Sequence, residues 1–269
     1  MPAHPRKATT ARTGARPRRL AAALAGATAL TLALGACSMD TTAPADARAD
    51  ALAEGRTVSP SGATEPVDCE KEKCIALTFD AGPGRDTPEL LDTLKRERVP
   101  ATFFLLGRKH IDRYPKVVKR LHDEGHEVAN HTWTHRRLDQ LKRDGIREEL
   151  ERTQVAIEKI TGERPTLMRP PQGRINDDVT AVSKELGLAQ ILWSATAKDY
   201  STNDSALIEK RILKQASRDG VILLHDIYDG TVPAVPGIIE KLKGRGYTFV
   251  TVSQLLAPAK ARPGTVYRP

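Results

Sequence analysis

Several function classes are argued against by what this chain lacks. Only three cysteines occur in 269 residues, one short of the four thiolates of an all-cysteine structural zinc site. No glycine-rich phosphate loop follows the first apolar strand, which weakens the case for a doubly wound nucleotide-binding sheet. The apolar run 20–34 is short and alanine-rich, below the roughly 20 residues that a membrane-spanning helix needs. No internal repeat, heptad pattern or sticky helix is present, so a monomer is expected.

Basic charge is scarcer than the total suggests. The formal net charge is +8, but residues 1–36 hold six basic residues (Arg6, Lys7, Arg12, Arg16, Arg18, Arg19) and no acid. The remainder carries 36 basic against 34 acidic residues, a net of +2. A nucleic-acid partner is therefore not expected, because a phosphate groove needs clustered basic charge in the mature protein.

What is present begins with an export signal. The arginine-rich start followed by the apolar run 20–34 predicts a signal peptide over residues 1–36. Its end, Leu34-Gly35-Ala36-Cys37, resembles a bacterial lipobox. That resemblance implies lipidation of Cys37, a location outside the cytoplasm and attachment to the membrane through the lipid anchor alone. Cleavage near Ala36 with an unmodified Cys37 is the alternative and would give a secreted protein. Arg18-Arg19 leaves open export by a twin-arginine route rather than the general one.

Residues 37–66 are rich in Ala, Thr, Ser, Pro and Asp and are expected to be a disordered tether, with too little apolar surface to offset ordering entropy. A folded domain is expected over 67–256 and a C-terminal tail over 257–269. Cys69 and Cys74, outside the cytoplasm, are expected to form a disulfide that closes a short loop before the first strand. A metal pair is the alternative.

From Ile75 onward, strand-like and helix-like patterns alternate. Strands are expected at 75–79, 101–106, 127–130, 167–169, 189–194, 221–225 and 247–252. Helices are expected at 87–98, with Asp86 as N-cap, and at 114–123, 146–160, 177–186, 206–216 and 236–243. Seven strands alternating with helices predict an α/β fold with a parallel sheet. Asp80, His131, Arg169, Asp199 and His225 all fall at or just after strand C-terminal ends, where a (β/α) barrel places its chemistry. A flat doubly wound sheet is the alternative. His131 and His135, at i and i+4, are expected on one face of a helical turn, close enough to share one ion. Trp133 and Trp193 are read as packing residues, and His110, His122 and His126 as surface residues.

The order of the motifs carries more than any one of them. Thr78-Phe79-Asp80-Ala81-Gly82-Pro83, His131-Thr132-Trp133-Thr134-His135, Arg169-Pro170-Pro171-Gln172-Gly173, the stretch 193–200 and Leu223-Leu224-His225-Asp226 resemble the five ordered motifs of the polysaccharide deacetylases, carbohydrate esterase family 4. The resemblance covers roughly residues 67–256. It implies a distorted (β/α)7-8 barrel, a metal-dependent hydrolase and a glycan substrate, with N-acetyl groups removed from peptidoglycan or chitooligosaccharide sugars. Acetyl-xylan esterase activity is an alternative within the family.

By the same resemblance Asp80 is the general base, Arg169 its orienting partner, and His225 the general acid linked to Asp199. His131 and His135 are metal ligands, with Asp80 possible as a third. The ion is expected to be Zn²⁺, with Co²⁺ or Ni²⁺ as alternatives. Leu223 lines the acetyl pocket, the backbone N–H of Gln172 after Pro171 faces the oxyanion, and Tyr200 stands at the substrate side, where the family usually has Trp.

Gln172 stands where the family usually has Tyr, and Thr196 where it has an acidic residue, but the departure that bears on the metal is in the first motif. The family's second aspartate, its third metal ligand, is Ala81 here, and a methyl group cannot coordinate. Three outcomes follow: Asp80 moves to the metal; the two histidines hold a labile ion completed by waters; or catalysis is lost and a glycan-binding envelope lipoprotein remains. A secreted amidohydrolase acting on a small molecule is a further alternative.

Overall fold

The computed structural model describes residues 41–57 and 67–269. The expected signal peptide, the lipobox and Cys37 lie outside these residues.

The organising strand is β2 (Lys73–Asp80), a near-continuous apolar run. Such a run suits a parallel strand covered on both faces. Its odd residues Ile75, Leu77 and Phe79 join the outer core between sheet and helices. Its even residues Cys74 and Ala76 join the inner cluster, and the same period of two turns Thr78 and Asp80 inward. The sequence period thus decides that the carboxylate at the end of β2 faces the barrel interior.

Around it stand β3 (Thr102–Leu105), β4 (Glu127–Asn130), β5 (Leu167–Met168), β6 (Ala189–Ile191), β7 (Ala195–Thr196), β8 (Gly220–Leu224) and β9 (Tyr247–Val250). Every ladder among the described residues is parallel, and the order runs β6-β5-β4-β3-β2-β8-β7, with β9 also paired to β2. No ladder joins β6 to β7 among the described residues, so the sheet curls into a barrel that stays open there. The helices α2 (Thr87–Glu97), α3 (Pro115–Asp123), α4 (Arg143–Thr161), α5 (Asp177–Glu185), α6 (Ser205–Gln215) and α7 (Thr231–Gly244) alternate with the strands. The fold is the curled parallel (β/α) barrel expected from the sequence, not the flat sheet.

Helix α2 buries Thr87, Leu90, Leu91 and Leu94 on one face, the i, i+3, i+4, i+7 pattern of an amphipathic helix. Asp86 stands at its N-cap but caps nothing with its side chain. Its carboxylate pairs instead with Arg85. Helix α7 starts at Thr231 rather than at Pro236. Val232, Ala234 and Val235 pack into the core, and that burial carries the helix through Pro236 although proline removes an N–H.

Two terminal segments correct the sequence reading. The supposed tether contains β1 (Thr41–Thr42) and helix α1 (Pro44–Ala53), and the supposed C-terminal tail, which follows α8 (Val252–Leu256), contains β10 (Val266–Tyr267). Strand β1 pairs with β10, and β10 pairs with β6, extending the sheet. On α1, Ala47 and Ala51 are buried, and so is Arg48. Arg48 Nε donates to Glu70, its Nη1 donates to the carbonyl of Leu255, and its Nη2 lies 2.9 Å from Asp219. These partners are remote in sequence, so a local hydropathy pattern could not reveal them. Glu70 and Asp219 precede β2 and β8, so α1 covers the N-terminal end of the strands, opposite Asp80 and His225.

Cys69 and Cys74 are joined by a disulfide just before and within the start of β2. His126 is not a surface residue. It is 7% exposed, its Nδ1 accepts from the backbone N–H of Ala101, and burial pushes its pKa down to about 4.

Candidate active site

The strand C-terminal ends bring Asp80, His131, Arg169 and His225 to one mouth, with Asp199 beside them. Asp80 closes β2 and is 3% exposed. Arg169 follows β5 and is fully buried. Its Nη1 donates to Asp80 Oδ1 at 2.6 Å and to Thr78 Oγ1 at 2.8 Å, while Nε donates to the carbonyl of Ile191 at 3.0 Å. The guanidinium lies 4.0 Å from the ring centre of Phe104. A buried guanidinium needs such partners because its desolvation is costly. The arrangement leaves Asp80 Oδ2 directed at the histidine side, 3.8 Å from His131 Nε2.

A second buried pair stands opposite. Asp199 opens a short 3₁₀ turn after β7 and is 1% exposed. Its Oδ1 lies 2.9 Å from His225 Nδ1. Its Oδ2 accepts from the backbone N–H of His225 at 2.7 Å and from the hydroxyl of Thr231 at 2.8 Å. Burial, the largest single influence on His225, works to lower its pKa. The hydrogen bond and charge of Asp199, with the charge of Asp80, outweigh it, and the net effect is a raised pKa. The Nδ1 contact with a carboxylate leaves Nε2 as the nitrogen available to substrate.

The two remaining histidines sit on a loop, not on the helical turn expected from their spacing. Thr132 and His135 adopt left-handed φ values of 75° and 62°, and no helix is assigned between β4 and residue 138. The loop is held from outside. Asn130 Oδ1 accepts from Thr132 N, and Glu149 on α4 accepts from Trp133 N, Thr134 N and the Thr134 hydroxyl. The result still brings the rings together, with centroids 5.0 Å apart. His131 Nδ1 lies 2.8 Å from the carbonyl of Arg169. A carbonyl only accepts, so Nδ1 carries the proton and the lone pair is on Nε2. Burial holds the pKa of His131 down to about 4 and lowers that of His135, which keeps both imidazoles neutral, as metal ligands must be.

These two nitrogens fit a divalent ion, but they are an incomplete set. Ala81, at φ 64° and 6% exposed, offers a methyl group at the third position. Among the described residues no group of three or more His, Cys, Asp or Glu is arranged to hold a metal. Asp80 Oδ2 is the carboxylate oxygen beside His131.

The substrate-side residues fall around the same mouth. Leu223 is on β8 opposite Thr78 of β2 and is 6% exposed, so it shares the inner face with Thr78. Pro171 and Gln172 form a 3₁₀ turn, Gln172 with φ 59°, and the Gln172 N–H meets no acceptor among the described residues. Tyr200 is 59% exposed, with its ring edge-on to His225 at 6.3 Å.

Sequence reasoning missed several supporting residues. Thr78 and Thr231 share the loads of Arg169 and Asp199. Tyr228 stacks edge-on to His225 at 5.4 Å. Asp226, fully buried, accepts from the Thr87 hydroxyl, which in turn accepts from Gly84 N. Burial pushes the Asp226 carboxyl up to about 6 against the pull of Thr87. A Cβ at Gly82 would lie 2.3 Å from Asp226 Oδ1, so the turn after Asp80 requires glycine there. The adjacency of Asp226 to His225 was the only sequence signal for it. His110 was read as a surface residue, but it is half-buried beside this turn, its Nδ1 3.1 Å from the carbonyl of Pro83.

A family model for polysaccharide deacetylases matches residues 68–191. A peptidoglycan-N-acetylglucosamine deacetylase, PgdA of Listeria monocytogenes, is 41% identical over 184 residues, which cover 68% of this chain and 39% of that protein. The chain thus spans about two fifths of that relative's length. A Bacillus cereus peptidoglycan-N-acetylglucosamine deacetylase is 38% identical over 191 residues, 69% of this chain and 89% of that protein. The solved structure of T48 deacetylase with substrate superposes with a TM-score of 0.72 at 40% identity, covering 75% of this chain and all of that one. With the motifs in order on the same curled barrel, this chain belongs to the polysaccharide deacetylase family, carbohydrate esterase family 4.

Proposed function

We propose that this protein hydrolyses N-acetyl groups on the amino sugars of peptidoglycan, acting outside the cytoplasm. The carrying observation is the pair of buried acid–base assemblies, Asp80–Arg169 and His225–Asp199, that face one mouth beside two neutral histidines. Relatives whose names specify peptidoglycan as substrate support the choice of glycan.

The geometry supports the following roles. His131 and His135 would hold a divalent ion, Zn²⁺ or else Co²⁺ or Ni²⁺, and Asp80 Oδ2 stays free for the proton of water. Such an ion supplies Lewis-acid polarisation of the acetyl carbonyl and acidifies water. Asp80, oriented by Arg169, accepts the proton of the attacking water. The free Gln172 N–H donates to the oxygen on which negative charge develops. His225, held by Asp199 with its pKa raised, donates a proton to the leaving amine. Leu223 faces the acetyl methyl, and Tyr200 borders the sugar. The protein works as a monomer. Lipidated Cys37 attaches it to the membrane, and none of the described helices is long and apolar enough to cross one.

Acetate release from peptidoglycan, chitooligosaccharide and acetyl-xylan, with added Zn²⁺ or Co²⁺, tests this reading. Release is expected from peptidoglycan, and release no greater than that of an Asp80→Ala/His225→Ala control overturns it. Ala81 favours a second reading, a glycan-binding protein without catalysis. That reading predicts saturable glycan binding unaffected by chelators or by His131→Ala.

A further inference from the structure

We propose that the groove behind the His131–His135 loop is a subsite for a carboxylate-bearing peptide branch of the substrate polymer. The proposal rests on the peptidoglycan reading above and adds to it a determinant of which sugars are selected.

Three chain segments converge on this groove. Arg108 follows β3, Arg136 follows His135, and Arg152 projects from α4. Together with Trp133 they line an open volume of about 660 Å³. Trp133 forms its floor. The indole is pressed so closely onto Gly107 that a Cβ there would lie 2.0 Å from the ring. The guanidinium of Arg152 covers the indole at 4.2 Å from the ring centre. The backbone ties the groove to the candidate metal loop, since Gly107 N donates to the carbonyl of Thr132 and Arg108 N to that of Trp133. A ligand seated here is therefore anchored on the residues between the two histidines.

Three guanidiniums without a carboxylate partner among the described residues gather at this place. Some nearby arginines are neutralised within the protein: Arg120 by Asp92 and Glu124, Arg137 by Asp139, Arg147 by Glu185. Arg108, Arg136 and Arg152 are exposed and enter no ion pair among the described residues. The buried acid of the groove, Glu149, is turned to the loop, where its oxygens accept from Trp133 N, Thr134 N and the Thr134 hydroxyl, and it forms no ion pair with them among the described residues. Unpaired guanidiniums over an aromatic floor present planar forks that match a carboxylate or a phosphate.

Two exposed acids on the rim, Asp112 and Glu148, decide between those anions. They repel a dense polyphosphate, yet leave room for a ligand that carries an ammonium as well as carboxylates. A short peptide has both. The peptide substituents of the polymer lie beside its sugars, so a peptide held at Arg108 and Arg136 would position a neighbouring sugar at the mouth.

Direct binding to the whole protein, read by calorimetry with a chelator present to stop turnover, tests this. The probes are a disaccharide carrying its peptide, the same disaccharide without it, the free peptide, and inorganic phosphate. The peptide-bearing disaccharide is expected to bind roughly tenfold tighter than the bare one, as two charge-assisted contacts at a half-open surface allow. That preference is expected to vanish at high salt and in an Arg108→Gln/Arg136→Gln variant whose melting temperature matches the parent. Equal affinity for the two disaccharides, a preference that survives in the variant, or phosphate binding as tight as the peptide's would each overturn the subsite. If neither disaccharide binds but the free peptide does, with loss in the variant, the groove stands and the glycan reading fails.

Discussion

The two halves of the mouth are built in different ways. In one half the two carboxylates are buried and paired: Asp80 with Arg169, and Asp199 with His225 and Thr231. The histidine half is a loop with two left-handed residues, one exposed imidazole and a methyl at the position where a carboxylate is expected. A buried charge without a partner is severely penalised, so the first half must be satisfied by the chain itself. A metal ligand set is satisfied by the ion, and a chain missing one ligand can still fold. The difference is that the carboxylate half is satisfied within the chain, whereas the histidine half leaves ring nitrogens without a hydrogen bond among the described residues.

The largest way to break this comparison is Arg169→Leu. It leaves Asp80 buried without its cation and is expected to cost about 3–5 kcal/mol of stability, read by urea unfolding. A loss below about 1 kcal/mol would show that the ion pair does not hold this half together.

Next comes Ala81→Asp, which sharpens the contrast by completing the donor set. Zinc affinity by calorimetry is expected to rise at least roughly tenfold, since each anionic ligand adds charge and denticity. Aspartate tolerates the left-handed backbone that Ala81 already adopts, so the fold should persist. An unchanged affinity would place residue 81 outside the metal's reach.

Asp199→Asn tests the acid. The raised pKa of His225 means its protonated form, and the stability gained from pairing with Asp199, is fully present below the ordinary value near 6.5 and lost as pH rises through the raised one. Removing the Asp199 charge is expected to move the alkaline limb of kcat/KM to lower pH, measurable in parallel by NMR titration of His225. A limb that stays in place would assign it to another group. Smallest is Thr231→Val, which removes one donor to Asp199 but keeps the charge pair. The same limb should move by less than it does in Asp199→Asn, and a shift as large as that of Asp199→Asn would make the hydroxyl, not the charge, the controlling partner.

Legibility followed the range of the interactions. The strand β2 and its terminal Asp80 were readable because burial on both faces writes an unbroken apolar run. Helix α4 was readable from its period, although its ends were placed three residues late and one early, at Arg143 and Thr161. Helix α1 was not, because its alanines carry little hydrophobic signal and its anchor, Arg48, depends on Glu70, Asp219 and Leu255. The same holds for His126, whose polar neighbours in sequence conceal a buried ring bonded to Ala101. The histidine pair was correctly associated but for a different geometric reason. Glu149, on the following helix, shapes the loop that brings them together.

The residue order by itself determined the alternation of strands and helices, the inward side of β2, the family of motifs and the absence of a carboxylate at Ala81. These depend on periods of two and 3.6 residues and on residue identity, which need no partner. The tertiary structure alone decided that the segments around α1 and β10 belong to the barrel, that Asp199 and Thr231 share one charge, that Asp226 supports the turn at Gly82, and that three arginines stand unpaired beside Trp133. Each of these rests on contacts between residues distant in sequence, and only the closed chain brings such groups within hydrogen-bonding distance.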